Sequence, residues 1–176
     1  IATIFQEPMT SLNPLHTINK QIEEIIFTHN NFSSKKVKKI TRDLLNEVGL
    51  KDLSARPKIY PYELSGGQRQ RVMIAMSIAN NPDVLIADEP TTALDVTIQM
   101  QILDLLSNLQ KKLGMTMLFI SHDLSVVKKI SDFVYVMKEG KIIESGNNEK
   151  IFKNPEHDYT KKLISSNNKK KINLFS

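Results

Sequence analysis

Apolar residues follow one another along this chain in two patterns, one typical of buried strands and the other of amphipathic helices. Residues 84–87 (Val-Leu-Ile-Ala) form a continuous apolar run, which predicts a strand covered on both faces of a parallel sheet. A second run, residues 115–120, predicts another strand. Between them, residues 96–113 place isoleucines and leucines on one helix face, and Gly114 is a fitting stop. These elements predict an α/β fold with a parallel sheet.

Residues 10–64 carry a different pattern and predict a helical subdomain. Ser33 and Ser34 offer an N-cap, and Gly49 is placed to end the helix that follows. The apolar stripe of this helix predicts core packing, and we assign no chemistry to it. Its members are Val37, Ile40, Leu44, Leu45 and Val48.

The C-terminal part of the chain predicts a hairpin, a helix and a linker. Residues 133–137 and 142–143 are apolar and flank a Glu139-Gly140 turn, as in a β-hairpin. Residues 148–163 favour helix and turn, while the polar run 165–176 is typical of a linker.

Composition is that of an ordinary globular chain. The 176 residues are 40% hydrophobic and 24% charged, with a net charge of +5, which allows one domain with a sizeable core. The lack of cysteine excludes disulfides and thiolate metal sites and fits a reducing compartment. Lysines cluster within residues 35–39 and 169–171, and a nucleic-acid face is one interpretation. Because no aromatic residues interleave with them, we favour solvated lysines and expect no nucleic-acid partner.

The pentapeptide Leu64-Ser65-Gly66-Gly67-Gln68 begins another predicted helix. Ser65 and Gln68 have the capping-box spacing, and an apolar-periodic run follows them. The two glycines let a ligand approach the backbone N–H groups closely, and a helix N-terminus attracts anions. From these residues alone, an ordinary capped helix and an anion site both remain open.

Polar side chains follow the predicted strands. Asp88 and Glu89 come at the end of the first, where open α/β sheets bind ligands, although acidic residues also end strands at protein surfaces. Carboxylates suit Mg²⁺, and a carboxylate can act as a general base. His122 follows the second strand, and a lone histidine there is compatible with a surface role or with chemistry. Gln6 follows a short apolar stretch and by itself is uninformative.

In combination, these segments resemble the motifs of ATP-binding cassette (ABC) ATPases, in the family's order over residues 4–146. The string Leu-Ser-Gly-Gly-Gln-Arg-Gln-Arg from Leu64 is similar to the signature motif, and residues 84–89 resemble the Walker B element. Residues 91–95 (Thr-Thr-Ala-Leu-Asp) resemble the D-loop, and residues 4–8 the Q-loop. The resemblance implies an α/β P-loop NTPase core with a helical subdomain.

The resemblance also implies a role for each matching residue. Asp88 would hold Mg²⁺, Glu89 would act as general base on the attacking water, and His122 would bond the γ-phosphate. Gln6 would reach the metal and the water, and Asp95 would help couple two composite sites. The signature residues would complete the ATP-binding site of a partner domain. They are Leu64, Ser65, Gly66, Gly67 and Gln68.

Partners and a location follow from the same resemblance. Two cassettes would form a head-to-tail dimer around two MgATP, bound to two transmembrane permease subunits at the cytoplasmic face of the inner membrane. A solute-binding protein outside the cytoplasm would act indirectly. Residues 5–14, 88–96 and 154–160 are similar to the peptide and nickel importer class. Residues 13–17 and 72–76 look most like the first cassette of a two-cassette microcin C or oligopeptide subunit, but single-cassette dipeptide subunits are similar.

One family motif has no match among the 176 residues. The phosphate loop would read G-x-x-x-x-G-K-[ST], but the one Gly-Lys pair, Gly140-Lys141, is followed by Ile142 and suits a hairpin turn. With Ile1 as the first residue, we expect a piece of a longer protein whose truncated sheet exposes an apolar edge. The expected division is a partial ABC domain over 1–164, with the ATPase core at 65–138, a hairpin and helix at 139–164 and a linker at 165–176.

Two other functions remain open. A non-transport ABC ATPase, such as a DNA-repair or translation factor, would share the signature and Walker B elements, but it would need a nucleic-acid- or ribosome-binding insertion, and none is visible. A decayed gene remnant without activity is the second, and the intact Asp88, Glu89 and His122 argue against it. The transported solute is not encoded in these residues.

Without a phosphate loop, the 176-residue chain on its own is expected to be poorly stable and to bind ATP weakly or not at all. Titration calorimetry of the purified chain with MgATP measures this directly. Tight binding by a monomeric preparation would refute the expectation.

Overall fold

Three short strands pair in parallel and form the framework of the first 120 residues. They are β1 (Ala2–Ile4), β2 (Val84–Asp88) and β3 (Thr116–Ile120), in the order β1-β2-β3. Ile4 pairs with Ala87, and Asp88 pairs with Ile120. Parallel neighbours need long crossover connections, and helices provide them here. The predicted α/β fold with a parallel sheet is confirmed.

The structure is a computed structural model and describes residues 1–6, 11–92 and 94–172. Three parts of the predicted elements lie outside the described residues: 7–10 of the Q-loop segment, Ala93 of the D-loop and 173–176 of the linker.

The chain forms two compact units, Ile1–Ile120 and Ser121–Ser176. The division between them falls inside the segment 65–138, which the sequence assigned to a single ATPase core. Within the described part of the first unit, the helices are α1 (Ile18–His29), α2 (Ser34–Glu47), α3 (Lys51–Ser54), α4 (Gly66–Ile78) and α5 (Val96–Leu113), with a 3₁₀ turn at Pro61–Glu63.

Local caps determine where two of these helices begin and end. Ser33 Oγ accepts a hydrogen bond from the Lys36 N–H at 3.4 Å at the start of α2. Gly49, just beyond that helix, has a φ of +78°, which costs a glycine little. The α5 helix runs from Val96 to Leu113 as predicted and ends at Gly114 in the left-handed conformation.

The core of the first unit lies between the sheet and helices α1, α2, α4 and α5. Ile4, Leu85 and Ala87 are fully buried on the sheet, and Leu106 is fully buried on α5. The apolar stripe of α2 belongs to the same cluster, as predicted. Each buried aliphatic side chain contributes about 1.5–3 kcal/mol to folding.

The sheet buries one of its faces more than the other. Leu85 and Ala87 are fully buried on β2, whereas Val84 and Ile86 keep part of their surface. The predicted coverage of the 84–87 strand is therefore complete on one face and partial on the other. Among the described residues, β3 has a neighbour on one side within the sheet, and its Leu118 is 49% exposed. The exposed apolar edge expected from a truncated sheet stays a prediction.

The second unit is built on an antiparallel hairpin. Strands β4 (Phe133–Lys138) and β5 (Lys141–Asn147) pair, and both turn residues between them have positive φ, +50° at Glu139 and +75° at Gly140. The predicted hairpin is confirmed, and positive φ at two central residues is the usual chemistry of a tight hairpin turn. The helices described in this unit are α6 (Leu124–Ile130), α7 (Asn148–Lys153) and α8 (Asp158–Ile172).

A buried carboxylate fastens the start of α8 to the hairpin. Glu144 on β5 accepts hydrogen bonds from the backbone N–H of Glu156 at 2.8 Å and of His157 at 3.1 Å. Burial by itself raises the pKa of Glu144, but these hydrogen bonds stabilise the charged form, and the net pKa lies below its usual value.

The α8 helix continues through residues 165–172, a segment that the sequence assigned to a linker. Lysine is a good helix former, and Asp158 in the first turn complements the helix dipole, so a polar composition does not prevent helix formation. Whether residues 165–176 connect two domains stays a prediction.

Among the helices of the described residues, none combines the length and apolar character that crossing a membrane requires.

The burial of Leu106 makes a prediction about stability. Leu106→Ala is expected to lower the free energy of unfolding by about 2–5 kcal/mol, because the cavity left behind closes only partly. Urea denaturation measures it. Leu15 is 81% exposed, so Leu15→Ala is the matched control and should change stability by less than about 0.5 kcal/mol. Equal effects of the two substitutions would contradict the assigned core.

Candidate functional site

The parallel pairing brings two predicted site residues together at the carboxyl ends of the strands. Gln6 lies two residues after β1, and Glu89 directly follows β2. The Gln6 Nε2 donates a hydrogen bond to Glu89 Oε2 at 2.9 Å, although the residues are 83 positions apart. The predicted Q-loop glutamine and the predicted general base therefore contact one another.

A third side chain contacts the same carboxylate. Thr92 Oγ1 donates to Glu89 Oε2 at 2.9 Å, from three positions further along the chain. The sequence assigned no role to Thr92. The sequence does contain a signal for this contact, because Glu89-Pro90 favours a turn and Thr92 lies three residues after Glu89. The contact could be predicted only with the geometry of that turn in hand.

Asp88 is the last residue of β2 and is partly buried. No group of three or more acidic or histidine side chains able to hold a metal is found in the described ranges. Magnesium sites of nucleotide enzymes commonly use one or two carboxylates together with substrate phosphates and water. Asp88 supplies one carboxylate of the kind that such a site uses, and its role as a Mg²⁺ ligand stays a prediction. The Gln6 amide donates a hydrogen bond to Glu89. A contact between Gln6 and a metal stays a prediction.

The predicted capping box at the start of α4 is confirmed. Ser65 Oγ accepts from the Gln68 N–H at 3.3 Å, and Gln68 Oε1 accepts from the Ser65 N–H at 2.9 Å. Gly66 and Gly67 are the first residues of the helix, where backbone N–H groups have no partner within the helix. Such donors at a helix N-terminus are suited to a phosphate oxygen.

The two signature glycines differ in what surrounds them. A Cβ on Gly67 would lie 2.7 Å from Cγ2 of Ile98 in α5, which is closer than real contacts allow. A Cβ on Gly66 would lie 3.7 Å from Leu94 Cδ2, an ordinary contact. Gly67 is therefore needed for the close packing of α4 against α5, while Gly66 tolerates a Cβ within this chain.

Two arginines that sequence reasoning left without a role position the signature helix. The Arg69 Nε donates to the Pro61 carbonyl at 2.9 Å. Arg71 Nη1 donates to the Val48 carbonyl at 2.8 Å, and its Nη2 donates to Gln101 Oε1 at 3.1 Å. Arg71 thus joins α4 to the end of α2 and to α5.

The remaining predicted residues of the first unit have structural roles here. Asp95 caps α5, because its Oδ1 accepts from the Ile98 N–H at 2.9 Å. Leu64 is buried in the core, and Ser65 beside it is exposed. The coupling role of Asp95 between two composite sites stays a prediction.

His122 belongs to the second unit and is exposed between β3 and α6. Its neighbours form a local turn: Ser121 Oγ accepts from the Asp123 N–H at 3.0 Å, and Asp123 Oδ1 accepts from the Ser125 N–H at 2.8 Å. This turn ends the strand and begins α6. The role of His122 toward a phosphate stays a prediction.

Residues 1–92, which contain Gln6, the signature helix and Glu89, match the family described as ABC transporter. The match covers more than half of the chain, and the chain belongs to this family.

Curated relatives extend the likeness through most of the chain. The peptidoglycan transport ATP-binding protein YejF of Agrobacterium fabrum (strain C58) is 57% identical over 94% of this chain and 30% of its own length. The oligopeptide transport ATP-binding protein AmiE of Streptococcus pneumoniae serotype 4 is 53% identical over 94% of this chain and 47% of its own length. The chain spans less than half the length of both relatives.

Solved structures agree with the fold. CbiO1 from Clostridium perfringens, part of the ABC transporter complex cbiONQ, superposes with a TM-score of 0.76 at 31% identity, over 87% of this chain and 59% of that one. The ATP-binding cassette MJ0796, a dimer in a post-hydrolysis state bound to ADP and Pi, superposes with a TM-score of 0.71 at 31% identity. The match covers 84% of this chain and 62% of that one.

The packing of the two signature glycines predicts different tolerance to alanine. Gly67→Ala is expected to lower the free energy of unfolding by about 1–3 kcal/mol, because the new Cβ overlaps Ile98. Gly66→Ala is the matched control and should be neutral or slightly stabilising, since alanine favours the helix. Thermal unfolding of both variants measures the difference, and equal melting temperatures would contradict the packing.

Proposed function

We propose that this chain is part of the ATP-hydrolysing, energy-coupling subunit of an ABC importer for peptides or related solutes. The observation that carries the proposal is the Gln6 amide on the Glu89 carboxylate at the carboxyl ends of adjacent parallel strands. Ligands of open α/β sheets bind at these ends, and a carboxylate held in a defined orientation is suited to proton transfer.

Glu89 is the general base of the proposed reaction. It takes a proton from water while the water oxygen forms a bond to the γ-phosphorus of ATP and the bond from that phosphorus to the ADP oxygen breaks. Gln6 holds Glu89 from the end of β1, and the bond from His122 to a γ-phosphate stays a prediction of the family resemblance. Asp88 would hold Mg²⁺, which neutralises phosphate charge when bound.

The signature helix serves a second cassette in this proposal. Ser65, Gly66, Gly67 and Gln68 face the nucleotide of the partner in a head-to-tail dimer, since an exposed helix N-terminus with close backbone access suits an anion. The dimeric form of the ADP-bound neighbour is consistent with such an assembly. The nucleotide belonging to Glu89 requires a phosphate loop, which the 176 residues do not contain.

The peptide class of solute rests on the relatives. YejF is named for peptidoglycan transport and AmiE for oligopeptide transport. We propose that the complete subunit binds two transmembrane permeases at the cytoplasmic face of the membrane and depends indirectly on a solute-binding protein. The two-cassette form of the subunit, which the resemblance of residues 13–17 and 72–76 implies, is part of this proposal.

The substitution Glu89→Gln, made in the complete subunit with its membrane partners, tests the base. Hydrolysis should fall about 10²–10⁴-fold because the amide cannot accept the proton. ATP binding should persist, so that the two cassettes accumulate in a closed, ATP-bound dimer. Steady-state phosphate release and nucleotide retention after gel filtration measure the two effects.

Glu139→Gln is the matched control for this experiment. Its side chain is 82% exposed in the hairpin turn, so the same chemical change should leave hydrolysis at the parent rate. Normal turnover by Glu89→Gln would remove Glu89 as the base.

A further inference from the structure

The carboxylate of Glu89 is held by two donors that come from different segments. Gln6 Nε2 and Thr92 Oγ1 both lie 2.9 Å from Glu89 Oε2. The glutamine reaches across from the end of β1, whereas the threonine lies on the same loop as the carboxylate. Two donors converging on one oxygen restrict the rotation of the glutamate side chain more than either donor alone.

The backbone places the threonine for this contact. The Thr92 N–H donates to the Glu89 carbonyl at 3.1 Å, which closes a four-residue turn with Pro90 in its second position. Proline favours that position because its φ is already set. The turn therefore brings the Thr92 side chain next to Glu89, and only the residues between these two are needed to form it.

Glu89 itself adopts an uncommon conformation at the start of this turn. Its φ is +46°, in the left-handed region that residues other than glycine seldom occupy. The Glu89 N–H donates to the Ile120 carbonyl at 3.0 Å, so β3 holds the backbone on the other side. Such strained residues are maintained by their surroundings and occur often at active sites.

We propose that Thr92 is a positioning residue for hydrolysis: its hydroxyl fixes the carboxylate of Glu89 in the orientation that proton transfer requires. The inference rests on the proposed function, in which Glu89 is the base, and it assigns Thr92 a role separate from ATP binding. The turn depends on the Thr92 N–H, and the orientation of the carboxylate depends on the hydroxyl.

Replacing the hydroxyl alone tests this assignment in the complete subunit with its membrane partners. Thr92→Val keeps the shape and the backbone N–H but removes the donor. We expect kcat to fall about 10- to 100-fold, since small misplacements of a catalytic group are costly, while KM for ATP changes less than about twofold. Thr92→Ser restores the donor and should keep kcat within about threefold of the parent protein.

Two further variants separate orientation from general damage. Thr97 is exposed on the first turn of α5, so Thr97→Val makes the same chemical change nearby and should leave kcat unchanged. The loss in Gln6→Ala combined with Thr92→Val should differ from the product of the two single effects, because both donors act on one oxygen and are coupled.

The outcomes distinguish this inference from the proposed function. The positioning role is overturned if Thr92→Val keeps the parent kcat, or if Thr92→Ser is as impaired as Thr92→Val. In either case an inactive Glu89→Gln protein would still support Glu89 as the general base. A raised KM with unchanged kcat likewise overturns it. Normal turnover by Glu89→Gln would overturn the proposed function itself.

Discussion

The site depends on the parallel pairing of β1, β2 and β3, because it brings the carboxyl ends of strands that are distant in sequence to one edge of the sheet. Ile4 pairs with Ala87, so the residues just beyond each strand, Gln6 and Glu89, come within hydrogen-bond distance. The buried Leu85 and Ala87 maintain this register. A slip by one residue would turn both side chains out of the core.

The signature helix is positioned by packing as well as by its cap. The capping box of Ser65 and Gln68 determines where α4 begins, but it does not determine where the helix lies. The close approach of Gly67 to Ile98 and the two hydrogen bonds of Arg71 place α4 against α5 and the end of α2. The signature residues at the start of α4 are therefore packed against α5.

Elements whose limits depend on neighbouring residues could be predicted from the sequence. A serine cap precedes α2, Gly49 and Gly114 follow the ends of α2 and α5, and the hairpin turns at Glu139-Gly140, so all three elements were predicted. The cap that Asp95 provides for α5 was not predicted. Features that depend on distant contacts could not be predicted. The partial exposure of Val84 and Ile86, and the division of the chain at Ile120, follow from which elements pack together. The helical conformation of residues 165–172 was missed because a polar composition was taken to indicate a linker.

The sequence by itself determined the order of the family motifs, the helix caps, the hairpin and the candidate residues Asp88, Glu89 and His122. These are short-range properties, and each can be read from a few adjacent residues. Only the tertiary structure decided that Gln6 and Thr92 share one oxygen of Glu89. A hydrogen bond across 83 positions requires two strands to be aligned to within a fraction of a residue spacing, and that alignment is produced by burial throughout the core rather than by the residues that form the bond.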